Sequence, residues 1–144
     1  FHVYGPRQEF DMKIGGVIPI FINRIKKNLN PIIFGDGSQV RSFTYVKDDV
    51  NANFLLSISD KTKGEVYNCA SGIKITVKEL AEKLLNIMDN DNLSIEYNDW
   101  RPGDIKYFEV DNSKIRSLGI NFETSFDDGL TSTIGWMENH LKSE

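Results

Sequence analysis

The apolar residues of the chain recur at helical spacing in several long segments. The first predicted helix covers about residues 16–28 and ends before Pro31. The second is predicted to begin at Asp48 or Asp49, with its apolar positions on one face of the helix. These positions are Val50, Phe54, Leu55 and Ile58.

Both capping signals and apolar stripes indicate the later helices. Thr76-Val77-Lys78-Glu79 has the spacing of a capping box and precedes a stripe that continues to Met88. Asp111 can cap a short helix that ends at Gly119. Ser125-Phe126-Asp127-Asp128 is a second capping signal. The helix behind it carries Leu130, Ile134, Met137 and Leu141 on one side. About five helices are therefore predicted.

Short runs of strand-forming residues lie between these helices. The predicted strands are Phe1–Tyr4, Ile32–Phe34, Ser42–Val46, Glu65–Cys69 and Leu93–Tyr97. Strands that alternate with helices predict an α/β fold, and no linker divides residues 1–144 into two domains. Because the first residues already have strand character and all the strands are short, we expect the second half of a larger α/β enzyme.

Composition and charge exclude several classes of function. The 144 residues are 40% hydrophobic and 26% charged, which is typical of one soluble globular domain. A formal net charge of −4 argues against nucleic-acid binding, and the sequence shows neither a membrane span nor a secretion leader. Cys69 is the single cysteine, so we expect a reducing cytoplasm and a packing role for the thiol. His2 and His140 lack metal-ligand spacing.

Three of the five arginines stand beside glycine or proline turns, where ligand-binding residues concentrate. Arg41 follows the turn Gly35-Asp36-Gly37, Arg101 opens Arg101-Pro102-Gly103-Asp104, and Arg7 follows Gly5-Pro6. A guanidinium on such a scaffold can bind a diphosphate through two parallel charge-assisted hydrogen bonds. Solvent-exposed surface arginines explain the same residues, and the residues alone favour that simpler interpretation. Arg24 and Arg116 fall in predicted helices, where an exposed face accounts for them.

Five linked motifs nevertheless resemble the C-terminal half of NAD-dependent nucleotide-sugar epimerases and dehydratases, the extended short-chain dehydrogenase family. They are Phe1-His2-Val3-Tyr4-Gly5-Pro6-Arg7-Gln8, Gly35 to Val46 with Asp48-Asp49-Val50, Tyr67-Asn68-Cys69-Ala70-Ser71-Gly72, Arg101-Pro102-Gly103-Asp104 and Asn112 to Ile120. The motifs follow in the family's order over essentially the whole chain. The resemblance implies the nucleotide-sugar-binding part of a Rossmann-type enzyme, with the NAD-binding half absent from residues 1–144.

The resemblance also implies roles for individual residues. Arg41 and Arg101 would bind the diphosphate, and Asp104 would accept hydrogen bonds from the ribose. Val17 and the stretch of Ile32, Ile33 and Phe34 would form the wall against which the base, usually uracil, is placed. Gln39 and Arg7 are further candidates, because their neighbours in the sequence match the family.

The reaction implied is inversion at C4 of a UDP-hexose by reversible hydride transfer to NAD. The family's catalytic Tyr-x-x-x-Lys pair and its glycine-rich dinucleotide motif do not occur in this sequence. Residues 1–144 alone are therefore expected to be inactive. They could also be a non-catalytic module that binds a nucleotide sugar, or a structural remnant.

The residue after Arg101-Pro102-Gly103 distinguishes subclasses of the family. Sugar dehydratases tend to have histidine there, and decarboxylases tend to have an arginine-rich variant of the motif. Asp104 is similar to the residue of 4-epimerases that act on UDP-glucose or UDP-N-acetylglucosamine. A dehydratase or decarboxylase remains an alternative. Because members of the family commonly pair, a homodimer of the whole protein is also expected.

Overall fold

The computed structural model describes residues 1–11 and 15–140, in which strands and helices alternate in an α/β fold. The α-helices are α1 (Val17–Lys26), α2 (Val46–Ile58), α3 (Val77–Ile87), α4 (Ser113–Arg116) and α5 (Phe126–His140). The strands are β1 (Val3–Tyr4), β2 (Ile32–Phe34), β3 (Val40–Tyr45), β4 (Ile73–Thr76) and β5 (Glu96–Asn98). These five α-helices agree in number with the sequence prediction.

The strands of this described part form two small sheets. In the first, of order β1-β3-β4, strand β1 pairs in parallel with β3 and β4 pairs antiparallel to β3. The second is the parallel pair of β2 and β5, with Phe34 opposite Asn98. Because parallel strands end at the same edge of a sheet, the loops after Phe34 and Asn98 leave side by side.

The main core lies where helix α3 packs against α1, α5 and strand β4, and α5 packs against β3. Helix α3 begins at the predicted capping box: the Thr76 hydroxyl accepts from the Glu79 N–H, and the Glu79 carboxylate accepts from the Thr76 N–H. Its stripe of Val77, Leu80, Ala81 and Leu84 is buried. In α5 the buried residues include Leu130, Ile134 and Met137. Leu141 of the predicted stripe lies outside the described residues.

Helix α2 begins at Val46, two residues before the earlier of its predicted starts, because Tyr45 at the end of β3 serves as its N-cap. Asp48 therefore does not cap the helix. Its carboxylate accepts hydrogen bonds from the Thr124 N–H at 3.1 Å and from the Thr124 hydroxyl at 3.0 Å. This contact ties α2 to the segment that leads into α5. The predicted apolar face of α2 is exposed, and Ala52 is its buried residue.

Some strand predictions were wrong. Residues 65–69 form no strand in the described structure, although their composition favours one. Strand β4 was not predicted, and β5 begins three residues later than the predicted start at Leu93. A strand requires a hydrogen-bonded partner as well as suitable side chains, and local sequence does not provide that partner.

Cys69 packs beside Ala52, Ile115 and Ile120 in a second small core cluster. Burial, and then a hydrogen bond with Asp49, raise the pKa of the Cys69 thiol to about 12. The thiol is therefore neutral near pH 7, as a packing residue should be. Within residues 1–11 and 15–140, no group of three His, Cys, Asp or Glu side chains could hold a metal ion. No helix in this part has the length and hydropathy needed to span a bilayer.

Candidate functional site

A cavity of about 380 Å³ lies between helix α1 and strand β2. Its apolar wall comes from α1 and β2, and its polar groups come mainly from the start of β3 and from the loop after β5. The lining residues are Gly15, Val17, Ile20, Phe21, Arg24, Ile32, Ile33, Phe34, Gln39, Arg41, Val77, Arg101 and Asp104. The cavity therefore joins segments that are distant in the sequence.

In the turn after β2, the Trp100 ring packs closely against the backbone of Gly35. Gly35 has φ of +91°, and a Cβ atom at this position would lie 2.5 Å from the Trp100 ring. Glycine is therefore required here, and Trp100 packs against the turn. The Asp36 carboxylate accepts from the Ser38 hydroxyl at 2.5 Å and from its N–H at 2.9 Å. These two hydrogen bonds lower the pKa of Asp36.

The loop after β5 carries Arg101 into the cavity. With Trp100 held against the turn, the Arg101 guanidinium carbon lies 3.8 Å from the centre of the Phe34 ring. The chain then turns back, with the Asp104 N–H donating to the Arg101 carbonyl at 3.1 Å. Pro102 and Gly103, which has φ of +81°, have the order favoured in the middle of a type II turn. This turn places Asp104 beside the start of β3.

Arg41 is held on the other side of this loop. Its Nη2 lies 2.6 Å from Asp104 Oδ1, and its Nη1 donates to the Ile105 carbonyl at 2.5 Å. The side chains of Arg41 and Asp104 are 13% and 24% exposed, so water and salt screen this ion pair less than a fully exposed one while Asp104 stays accessible. Arg41 is thus fixed in place, whereas the exposed Arg101 stacks on Phe34 and leaves the edge of its guanidinium accessible.

Gln39 lies between the end of strand β2 and Asp104. The residue is 2% exposed, and its Nε2 donates to the Phe34 carbonyl and lies 3.5 Å from Asp104 Oδ2. Its Oε1 is buried and has no hydrogen-bond partner among residues 1–11 and 15–140. A buried acceptor of this kind costs free energy unless a donor reaches it. Gln39 therefore offers an unused acceptor next to the ion pair.

The cavity brings together most of the residues selected from the sequence. Val17, Ile33, Phe34, Gln39, Arg41, Arg101 and Asp104 all line it. Arg7 does not. It is exposed in a left-handed conformation, with φ of +71°, in a turn closed by a hydrogen bond from the Gln8 N–H to the Gly5 carbonyl. The His2 ring packs edge-on against Phe43 and Phe108 and is also absent from the lining.

Arg24 is the charged lining residue that the sequence interpretation missed. It was assigned to an exposed helix face, but it is partly buried and lines the cavity from α1. The available signal was its position one turn after Ile20 and two turns after Val17, since residues at this spacing share a helix face. Three guanidinium groups, one carboxylate and the Gln39 amide therefore line a cavity whose other side chains are apolar, an arrangement suited to an anion with an apolar portion.

Comparisons with known proteins identify the family and the fold of the chain. A family model described as the NAD dependent epimerase/dehydratase family matches residues 1–70. The solved structure of a UDP-glucose 4-epimerase from Thermotoga maritima, determined with UDP-glucose, is 34% identical with a TM-score of 0.87. A UDP-N-acetylglucosamine 4-epimerase from Methanobrevibacter ruminantium, in complex with UDP-N-acetylmuramic acid, is 36% identical with a TM-score of 0.89. Each match covers 97% of this chain and 44% of the other chain.

Dehydratases are also among the relatives. The dTDP-D-glucose 4,6-dehydratase of Mus musculus is 31% identical over 146 aligned positions, covering 97% of this chain and 40% of that protein. The chain spans 40% to 45% of the length of such curated relatives.

Proposed function

Because the chain belongs to the NAD-dependent epimerase/dehydratase family, we propose that its cavity binds the nucleoside diphosphate portion of a nucleotide sugar. One observation carries this proposal: Arg41 of strand β3 and Arg101 of the loop after β5 line the same cavity together with Asp104. Two guanidiniums can share the charge of a diphosphate through charge-assisted hydrogen bonds. The apolar wall of the cavity provides a surface for the base.

Each polar residue of the cavity has a distinct role in this proposal. Arg101 contributes the accessible edge of its guanidinium, and Arg41 contributes a charge whose position is fixed by Asp104 and Ile105. Asp104 accepts hydrogen bonds from ribose hydroxyls. Gln39 Oε1 offers another acceptor nearby. Val17, Ile32 and Phe34 form the wall beside the base, and the fully buried Ile33 packs behind them. Arg7 has no role in this cavity.

NAD is the cofactor of the family, but these residues do not fit it. A dinucleotide fingerprint requires a glycine-rich turn that joins a strand to a helix. Neither that motif nor a Tyr-x-x-x-Lys pair occurs in the sequence. We therefore place NAD and the catalytic tyrosine and lysine on a part of the protein outside residues 1–144. In this proposal residues 1–144 form one substrate-binding domain that is inactive alone.

For the whole protein we propose a 4-epimerase that acts on a UDP-hexose. Asp104 favours this reaction over a dehydratase, because the dehydratases of the family tend to have histidine after Arg-Pro-Gly. The two solved relatives described above are named as 4-epimerases. The dehydratase relative keeps 4,6-dehydration as the second candidate. Product analysis after incubating the whole protein with UDP-glucose separates them: an epimerase forms the C4 epimer, and a dehydratase forms a 4-keto-6-deoxy sugar.

Calorimetric titration of the purified chain with UDP tests the binding proposal. We expect binding by the native chain and a loss of ten-fold or more with Arg101→Ala, because hydrogen bonds to charged groups contribute about 1.5–3 kcal/mol. Arg116→Ala is the matched control, since Arg116 donates to the Ser71 carbonyl at 2.7 Å and does not line the cavity. Absence of heat with the native chain would contradict the proposal and would favour a structural role.

A further inference from the structure

Arg24 lies at the opposite end of strand β2 from the residues proposed to bind the diphosphate. Its Nε donates to the carbonyl of Asn30, which is two residues before β2, at 2.5 Å. Arg101 stacks on Phe34, the last residue of β2. Since a strand advances about 3.3 Å per residue, the two anchoring points are roughly 13 Å apart. The cavity therefore has a cationic group at each end.

The wall between these two ends is apolar. Ile32 and Phe34 project from the same face of β2 because side chains alternate along a strand. Val17 and Ile20 face the cavity from α1. A nucleoside diphosphate also has two different ends, with anionic phosphates at one end and a flat base at the other. With the phosphates at Arg41 and Arg101, the base is directed along this wall toward Arg24.

The chemistry of Arg24 limits what it can recognise. A guanidinium has only N–H donors, held in a planar fork. Among the described residues, the hydrogen bond of Arg24 to Asn30 uses Nε alone, so both Nη groups remain available as donors. The partly buried position of Arg24 makes an acceptor at this end of the cavity favourable. A base carbonyl oxygen is such an acceptor, whereas an exocyclic amino group is another donor.

We propose that Arg24 is a specificity-determining residue that donates a hydrogen bond to the C4 carbonyl oxygen of the base. It would select pyrimidines with a carbonyl at C4, namely uracil and thymine, over cytosine, which has an amino group there. This inference rests on the proposed function, because it assumes that the diphosphate occupies the end of the cavity near Arg41 and Arg101.

The test measures base preference separately from phosphate affinity. The purified protein is titrated by calorimetry with UDP, dTDP, CDP and inorganic pyrophosphate, in the native form and as Arg24→Leu and Arg24→Lys. We expect the native protein to bind UDP about ten-fold or more tightly than CDP. Arg24→Leu should remove this preference and leave pyrophosphate affinity unchanged. Arg24→Lys keeps the charge but loses the fork, so the preference should fall at least about three-fold. A comparison of dTDP with UDP shows whether the cavity accepts the thymine methyl group.

Arg116→Leu is the control, because Arg116 is also anchored on a backbone carbonyl but lies away from the cavity. Thermal melting checks the folding of each variant, and Arg24→Lys decides the question if Arg24→Leu does not fold. An unchanged ratio of UDP to CDP affinity would overturn the role of Arg24. Equal losses for UDP and pyrophosphate would do the same, by making Arg24 a phosphate ligand. If the native protein bound no UDP, the proposed function would fail first, and this inference would fail with it.

Discussion

Helices α2 and α3 are similar in length, but the large apolar side chains of α3 are buried and those of α2 are mostly exposed. In α3, Leu80 and Leu84 are fully buried in the main core. In α2, Val50, Phe54 and Ile58 are 62%, 59% and 64% exposed, and the small residue Ala52 faces the protein. A stripe of large apolar residues therefore identifies a face of a helix without identifying what covers it. Helix α3 stabilises the domain beside the cavity, whereas α2 contributes little buried apolar surface.

Leu84→Ala is expected to produce the largest effect. Leu84 is completely buried, so the substitution removes buried methyl groups and leaves a cavity, which lowers the free energy of unfolding by about 2–5 kcal/mol. Urea denaturation measures the change. Leu84→Met, which nearly conserves volume, should cost less than about 1.5 kcal/mol. A loss below 1 kcal/mol for Leu84→Ala would mean that α3 is not the core helix described here.

Thr76→Ala tests the second difference between the helices, which is their N-terminal capping. The Thr76 hydroxyl caps α3, whereas in the described structure the Tyr45 side chain makes no capping hydrogen bond at the start of α2. Loss of the cap should lower the free energy of unfolding by about 0.5–2 kcal/mol. Thr76→Ser keeps a hydroxyl and serves as the control. Equal losses for both substitutions in urea denaturation would contradict a capping role.

Glu79 gives this cap a dependence on pH. Hydrogen bonds from the backbone and side chain of Thr76 hold the pKa of Glu79 below its usual value of 4.5. The unfolded chain therefore binds a proton more readily, so this stabilisation is present above pH 4.5 and is lost as the pH falls through the lower pKa of the folded state. Glu79→Gln should reduce the fall in melting temperature between pH 5 and pH 3. Glu82→Gln, at an exposed ion pair with Lys78, is the control. An equal fall in the native and Glu79→Gln proteins would refute the assignment.

Phe54→Ala should have the smallest effect. Phe54 is a large apolar residue, but its side chain is exposed. Substitutions at exposed positions usually change the free energy of unfolding by less than about 0.5 kcal/mol. The measurement is again urea denaturation of the purified chain. A loss approaching that of Leu84→Ala would show that the apolar face of α2 is covered in solution.

Local signals were sufficient to predict the parts of the fold that depend on neighbouring residues. Helix α3 was predicted correctly because its capping box and apolar stripe both lie within one short segment. The stretch 65–69 was wrongly predicted as a strand, since the pattern does not reveal whether a pairing partner is present. Strand β4 was missed for the related reason that its pairing with β3 joins distant segments.

The candidate site shows the same limit. Individual turns marked Arg41 and Arg101 as candidates, but only the resemblance to a known family suggested that they share a ligand. Arg24 was missed because its helical position alone gives no sign that β2 lies opposite. Arg7 was included because of its neighbours, yet it lies in an exposed turn outside the cavity. The convergence of side chains from segments that are distant in the sequence is seen only in the tertiary structure.

In the proposed function, Arg41 and Arg101 bind the same diphosphate. The most direct measurement is the ratio of UDP affinity to uridine affinity, determined by calorimetry for the native chain and for the double variant Arg41→Ala, Arg101→Ala. We predict that the native chain binds UDP at least about ten-fold more tightly than uridine, and that the double variant binds both with similar affinity. The same ratio in both proteins would contradict the account.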